Sequence, residues 1–167
     1  MSQSQWCVIT GAPSSGKTTV ILELARAGYK TIPEAARAII DEGLAQGKTI
    51  EEIRGDEAAF QRRITARKLK TEASLPRHEI IFLDRAVPDS IAYDRLMGHD
   101  LGESIRVSRR NLYREVFYLE PLAFVKDYAS NPSRFSRCHS RRKRESRVFR
   151  ARPTTLDPRF HGDDTEV

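Results

Sequence analysis

A chain of 167 residues with a formal net charge of +6 is the size of one ordinary domain, long enough to bury a core. No apolar run approaches the roughly 18–20 residues of a membrane span, and the opening Met-Ser-Gln-Ser-Gln-Trp lacks the basic and apolar regions of a secretory signal. Two cysteines (Cys7, Cys138) and four scattered histidines suggest neither a disulfide framework nor a metal-ligand spacing, so a cytoplasmic chain is expected.

Gln5 to Thr10 is a short apolar run of strand type, with Cys7 as a small core residue. Residues 11–18 then read Gly-Ala-Pro-Ser-Ser-Gly-Lys-Thr, a complete G-x-x-x-x-G-K-[ST] phosphate-binding loop. Val20, Ile21, Leu24 and Ala25 follow at helical spacing up to Ala27. This is the strand–loop–helix context that the motif requires. Gly11 and Gly16 permit the tight turn, so that backbone N–H groups from Ala12, Pro13's neighbours, Ser14 and Ser15 surround a phosphate. The helix starting near Lys17 adds its positive end. Lys17 is expected to reach the β/γ-phosphates and the Thr18 hydroxyl to ligate Mg²⁺, with Thr19 beside it in the same turn. Ser14 and Ser15 belong to the loop and are not nucleophiles.

Gly28 to Glu34 reads as a second strand ending at a carboxylate, and Ala35 to Gly43 as a helix. A long helix is predicted from about Glu51 to Leu75, with Ile53, Phe60, Ile64 and Leu69 as an interrupted apolar stripe and Pro76 as its stop. Its basic positions, Arg62, Arg63, Arg67, Lys68 and Lys70, read as a solvated face. Glu79 to Arg85 contains the four-residue apolar run of a buried parallel strand and ends in Asp84-Arg85. Short helices are expected over Pro88–Met97, with polar Asp89, Tyr93 and Arg95, and over Ser104–Asn111. Glu115 to Pro121 is a further strand and exit loop. Strands alternating with helices imply an α/β domain, a three-layer sandwich around a parallel sheet.

In such a sheet ligands sit at the carboxyl ends of the strands. Three strands end there in acids: Glu34 with Arg37 a turn later, Asp84 with Arg85, and Glu120. Phosphoryl transfer needs Mg²⁺ control, a residue that orients or deprotonates the acceptor, and positive charge on the transferred group. Glu34, Asp84, Arg37 and Arg85 are the candidates beside Lys17, and Asp84 joins Thr18 as a candidate for Mg²⁺. Helix capping is the competing explanation for each acid, and Glu120 is assigned a structural part.

Beyond Tyr128 the pattern breaks. Residues 1–130 hold 19 Lys/Arg against 18 Asp/Glu, whereas 131–153 hold 9 against 1. Apolar residues fall from 57 of the first 130 to 8 of the last 37. Ser130 to Arg152 has no usable apolar period, Thr154 to Val167 is turn-like, and disorder is expected over both.

Four motifs in order carry a family resemblance: Gly-Ala-Pro-Ser-Ser-Gly-Lys-Thr-Thr, Ile-Pro-Glu-Ala-Ala-Arg, Phe-Leu-Asp-Arg-Ala-Val-Pro-Asp-Ser-Ile-Ala-Tyr, and Phe-Tyr-Leu-Glu-Pro-Leu-Ala-Phe-Val-Lys-Asp-Tyr. Over about residues 5–128 the chain resembles the NadR-like P-loop NTPases that carry the AAA label, small kinase-like ATPases related to nicotinamide-riboside and deoxynucleoside kinases. The resemblance implies a five-stranded parallel sheet, ATP and Mg²⁺ as cofactors, and a second pocket near Glu34 and Asp84-Arg85. In kinase relatives the acid after the second strand deprotonates the acceptor hydroxyl, and the acid–Arg pair after the third serves the phosphates. Such relatives continue with an acidic, lid-like helical segment, a final strand and a C-terminal helix. Here Ser-Asn-Pro-Ser-Arg-Phe-Ser-Arg-Cys-His-Ser-Arg-Arg-Lys-Arg stands instead. A frame shift near Ala129 would produce this, giving a domain over 1–128, a foreign tail over 129–167, a missing C-terminal strand and helix, and weak or absent turnover.

Three functions follow. The first is an ATP-dependent phosphotransferase of a small nucleoside-like metabolite. The second is an ATPase or GTPase switch acting with a protein partner; no segment resembles a guanine-specificity motif, which favours ATP. The third is nucleic-acid binding through Arg134 to Arg152, a run with no recognised RNA or DNA motif.

Overall fold

The computed structural model describes residues 3–110 and 112–121, together with the backbone of 148–151. Its elements are β1 (Cys7–Gly11), α1 (Lys17–Arg26), β2 (Lys30–Ile32), α2 (Ala35–Ala45), α3 (Ile50–Arg54), α4 (Glu57–Ser74), β3 (Ile81–Asp84), α5 (Asp89–Met97), α6 (Gly102–Ser108), β4 (Glu115–Leu119) and β5 (Val148–Ala151). The sheet order is β2-β3-β1-β4-β5. The first four strands are mutually parallel, with Val8 opposite both Leu83 and Val116. This central placing of β1 puts the phosphate loop in the middle of the sheet's carboxyl edge.

Strand alternation divides the core between the two faces. Val8, Ile81 and Leu83 pack with Trp6, Ala86 and Tyr113 on one side, and Ile9 packs with Ile21 of α1 and Leu119 on the other. A third cluster, Ile39, Ile40, Ile53, Phe60 and Ile64, joins α2, α3 and α4. Cys7 is buried in β1.

The single helix expected over 51–75 is two. Thr49 and Glu52 form a reciprocal capping box that starts α3, and the Asp56 carboxylate accepts from Ala59 N at 2.9 Å to start α4. Gly55 separates them, so a new N-cap begins where continuous helix was expected. Pro76 stops α4 as anticipated, forcing Leu75 into extended backbone with ψ 138°.

The other difference lies at the far edge. The sequence predicts disorder throughout the basic run, yet residues 148–151 add an antiparallel strand to β4, with Leu119 opposite Val148 and Val116 opposite Ala151. Val148-Phe149 is a strand-favouring pair within that run, and β4 would otherwise present an unpaired edge. The expected foreign tail, its basic stretch and the Phe-Val-Lys-Asp-Tyr motif otherwise lie outside the described residues.

Candidate active site

The loop from Gly11 to Gly16 contains three residues with positive φ. Gly11 has φ 144° and Gly16 φ 85°, and Ser14 also adopts positive φ. A Cβ at Gly11 would stand 2.3 Å from the carbonyl oxygen of Leu119, so glycine is required there by both backbone angle and space. Gly16 immediately precedes α1, which places the helix's first N–H groups at the loop.

Lys17 folds back over this loop. Its ammonium donates to the Ala12 carbonyl at 2.7 Å and to Ser15 Oγ at 3.2 Å. Burial pushes its pKa down to about 8; Arg85 adds to the fall, and Asp84, Glu34 and Asp89 oppose it. An anion arriving at the loop would restore the charge on Lys17.

Facing the loop across a cavity of about 250 Å³ are Glu34, Arg37 and Arg85, while Ser14, Ser15, Lys17, Thr18 and Thr19 form its loop wall. Glu34 occupies the N-cap position of α2 but makes no side-chain cap. Its carboxylate instead accepts from Arg85 Nε at 3.0 Å. The capping explanation for Glu34 therefore fails. Arg85 has φ 64°, a conformation unfavourable for a residue with a Cβ. It is held there by its backbone N–H to the Ile9 carbonyl at 3.0 Å, by Glu34, by Asp89 at 3.6 Å, and by stacking on the Tyr93 ring. Burial works against the guanidinium charge, but Tyr93, Glu34, Asp89 and Asp84 more than offset this and hold its pKa above the ordinary value.

Asp84, unlike Glu34, does not line this cavity. Its side chain borders an adjacent one of about 230 Å³, beside Leu83, Arg85 and Lys68. It nonetheless interacts electrostatically with Lys17 and Arg85. Burial pushes its pKa up to about 6, with Glu34 contributing, against the pull of Arg85 and Lys17. Asp84 Oδ1 is buried without a hydrogen-bond partner among the described residues. Such an oxygen is expensive to leave unmatched, and a cation arriving beside it would satisfy it. The hydroxyl of Thr18 and the carboxylate of Asp84 are hard oxygen donors of the kind Mg²⁺ accepts, and Mg²⁺ takes only one or two protein ligands when phosphates supply others. Among the described residues no group of three or more His, Cys, Asp or Glu could hold a metal. Glu120 lies past the end of β4 and lines neither cavity.

Several residues at the site were not among the candidate site residues. Asp89 anchors the turn after β3, accepting from Thr10 Oγ1 and from Ala86 N at 2.8 Å. Phe60, Gln61, Ile64 and Lys68 of α4 form the wall opposite the loop. Gln61 and Lys68 are buried, which corrects the reading of the basic positions on α4 as a wholly solvated face. Glu57 accepts from Arg54 at 3.2 Å and from Gln61 at 3.0 Å at the cavity mouth.

The model of a family described as an AAA domain matches residues 6–157. The chain belongs to this AAA-domain family. The match runs past Tyr128, where the quoted motifs end. As a member of the family it is a P-loop, nucleotide-binding domain. A similar solved structure is a crystal structure of NadR protein in complex with NR, at 21% identity and a TM-score of 0.44, covering 64% of this chain and 28% of that one. This AAA-domain chain thus spans under a third of the NadR chain. No curated protein matches it. Among the described residues no helix is long and apolar enough to cross a membrane.

Proposed function

We propose that the chain is an ATP-dependent phosphotransferase acting on the hydroxyl of a small, nucleoside-like metabolite. The observation that supports this is one cavity bounded by the phosphate loop on one side and by the Glu34–Arg85 pair on the other. A nucleotide switch needs the loop, but it does not need a second, protein-lined compartment carrying a fixed carboxylate.

In this reading the loop amides and the α1 N-terminus hold the β/γ-phosphates, and Lys17 leaves its contacts with Ala12 and Ser15 to meet them. Glu34, oriented by Arg85, takes the proton of the acceptor hydroxyl. The acceptor oxygen then forms its bond to the γ-phosphorus as the bond to the β-phosphate oxygen breaks, releasing ADP and the phosphorylated acceptor. Arg85 and Arg37 offset charge on the transferred group. Thr18 and Asp84 would hold Mg²⁺, which supplies charge neutralisation on the phosphates.

The test has two stages. Mg²⁺·ATP at about 100 times its dissociation constant should stabilise the wild-type protein by roughly 2.7 kcal/mol, an effect that Lys17→Ala abolishes. ADP release should then depend on an added hydroxyl acceptor and fall at least about a hundredfold in Glu34→Gln. Slow ADP release that no acceptor stimulates and that Glu34→Gln leaves unchanged would refute the transferase reading. Turnover is expected below the roughly 1–100 s⁻¹ of kinases, because a basic run, Arg134 to Arg152, stands where kinase relatives carry an acidic lid-like segment.

A further inference from the structure

Lys68 is a buried cation at the wall shared by the two cavities. Among the described residues its polar contact is Ser90 Oγ at 3.5 Å, and no carboxylate stands within ion-pair distance. Ser90 Oγ already takes a hydrogen bond from Thr65 at 3.0 Å. An ammonium held this way is poorly satisfied, and a lysine is rarely buried unless something matches its charge.

The neighbouring charges do not supply the match. Arg85 is engaged by Glu34 and Asp89, and Glu57 is taken by Arg54 and Gln61. The charged residues lining the first cavity are five cations, Lys17, Arg37, Arg54, Lys68 and Arg85, against two carboxylates, Glu34 and Glu57.

We propose that Lys68 binds an anionic oxygen group, a phosphate monoester or a carboxylate, carried by the acceptor. This rests on the transferase reading and narrows its substrate class from any small hydroxyl compound to an acidic one. The wall around Lys68 suits such a molecule: Ile64 and Phe60 of α4 offer an apolar surface one and two turns earlier on the same helix face. Burial lowers the Lys68 pKa, with Asp89, Glu34 and Glu72 opposing and Arg85 reinforcing. An entering anion would reverse that fall.

The test separates this proposal from the broader reading. The protein is first saturated with Mg²⁺ and a non-hydrolysable ATP analogue, which occupies the phosphate loop. Inorganic phosphate and, separately, acetate are then titrated at constant ionic strength, with wild type and Lys68→Met compared by thermal shift and calorimetry. At least one anion should bind the wild-type complex, and Lys68→Met should weaken it about tenfold or more while leaving the analogue's affinity unchanged. Phosphate binding alone identifies a phosphate monoester; acetate binding alone identifies a carboxylate. Lys68→Met should also raise the midpoint of the ligand-free protein, since methionine fills the site without a charge to bury, whereas loss of a purely structural contact would lower it. Absence of binding by either anion, equal binding by both proteins, or a loss of analogue affinity in Lys68→Met overturns the proposal. Failure of the analogue itself to bind wild type instead removes the nucleotide reading beneath it.

Discussion

Asp84→Asn should make the ligand-free protein more stable at neutral pH while weakening its Mg²⁺-dependent hold on nucleotide. The carboxyl is almost wholly buried, and its pKa stands at about 6 against an ordinary 3.8. Because the folded-state value is raised, the protonated form is favoured in the native protein. The stability associated with it is fully present below about 3.8 and is lost as pH rises through about 6. At about 1.4 kcal/mol for each tenfold change in proton affinity, that loss is about 3 kcal/mol at pH 8 and about half as much at pH 5. Asparagine carries no charge at either pH, so the variant should exceed wild type by these amounts. Urea unfolding midpoints of both proteins at pH 5 and pH 8, without nucleotide or Mg²⁺, provide the measurement. Equal midpoints at pH 8, or a less stable variant, would show that Lys17 and Arg85 fully compensate the charge, and the argument from its unmatched oxygen would fall. The functional half is read in the same proteins: Mg²⁺ should add less to nucleotide-induced stabilisation in Asp84→Asn than in wild type.

Gly11→Ala should destabilise the fold by at least about 3 kcal/mol, since it combines strained backbone with overpacking; the new Cβ would lie 2.3 Å from the Leu119 carbonyl oxygen at φ 144°. An unchanged denaturation midpoint would mean that β1 and β4 separate freely at that point. Tyr113→Phe removes the hydroxyl that donates to Glu72 Oε2 at 2.8 Å in a buried setting, and it should cost about 1–3 kcal/mol without altering nucleotide affinity. A loss of affinity would place Glu72, which also accepts from Val87 N at 3.0 Å, in communication with the site.

The phosphate loop was legible because its information is local: eight consecutive residues specify the turn, the cation and the hydroxyl. Glu34 and Arg85 were legible one by one as strand-end charges, but not as partners, because their pairing spans 51 residues of sequence and depends on the order β2-β3-β1. Asp84, expected at the loop's rim, borders the neighbouring cavity and interacts electrostatically with Lys17 of the loop. The turn at Arg85, not the strand, decides which of the two consecutive residues faces the loop's cavity. The wall on α4 is not a continuous apolar stripe. Phe60, Ile64, Lys68 and Glu72 follow at intervals of four and all are buried, but a stripe read by hydrophobicity passes from Ile64 to Leu69 and skips Lys68. A period count that ignores polarity would have carried it on through Lys68. The break between α3 and α4 was written in Thr49-x-x-Glu52 and in Gly55-Asp56, signals that the search for a continuous apolar stripe overrode.

The costs in this domain are gathered rather than spread. A lysine whose charge is disfavoured by burial, a carboxyl with an orphaned oxygen, a second buried lysine with one long contact, and an arginine at φ 64° all border two adjoining cavities. Each would be expected to cost on the order of 1–3 kcal/mol in an otherwise apolar core. A sequence under pressure for stability alone would shed them, since Lys68→Met and Asp84→Asn are single, well-fitting changes. The signs also differ: Lys17 and Lys68 call for an anion, and Asp84 calls for a cation. Only a ligand set carrying both, such as a phosphorylated nucleotide with its metal and an acidic acceptor, satisfies all three together. Stability of the free chain and occupancy of the site therefore pull in opposite directions at these residues, and substitutions that strengthen the fold there should be those that empty it.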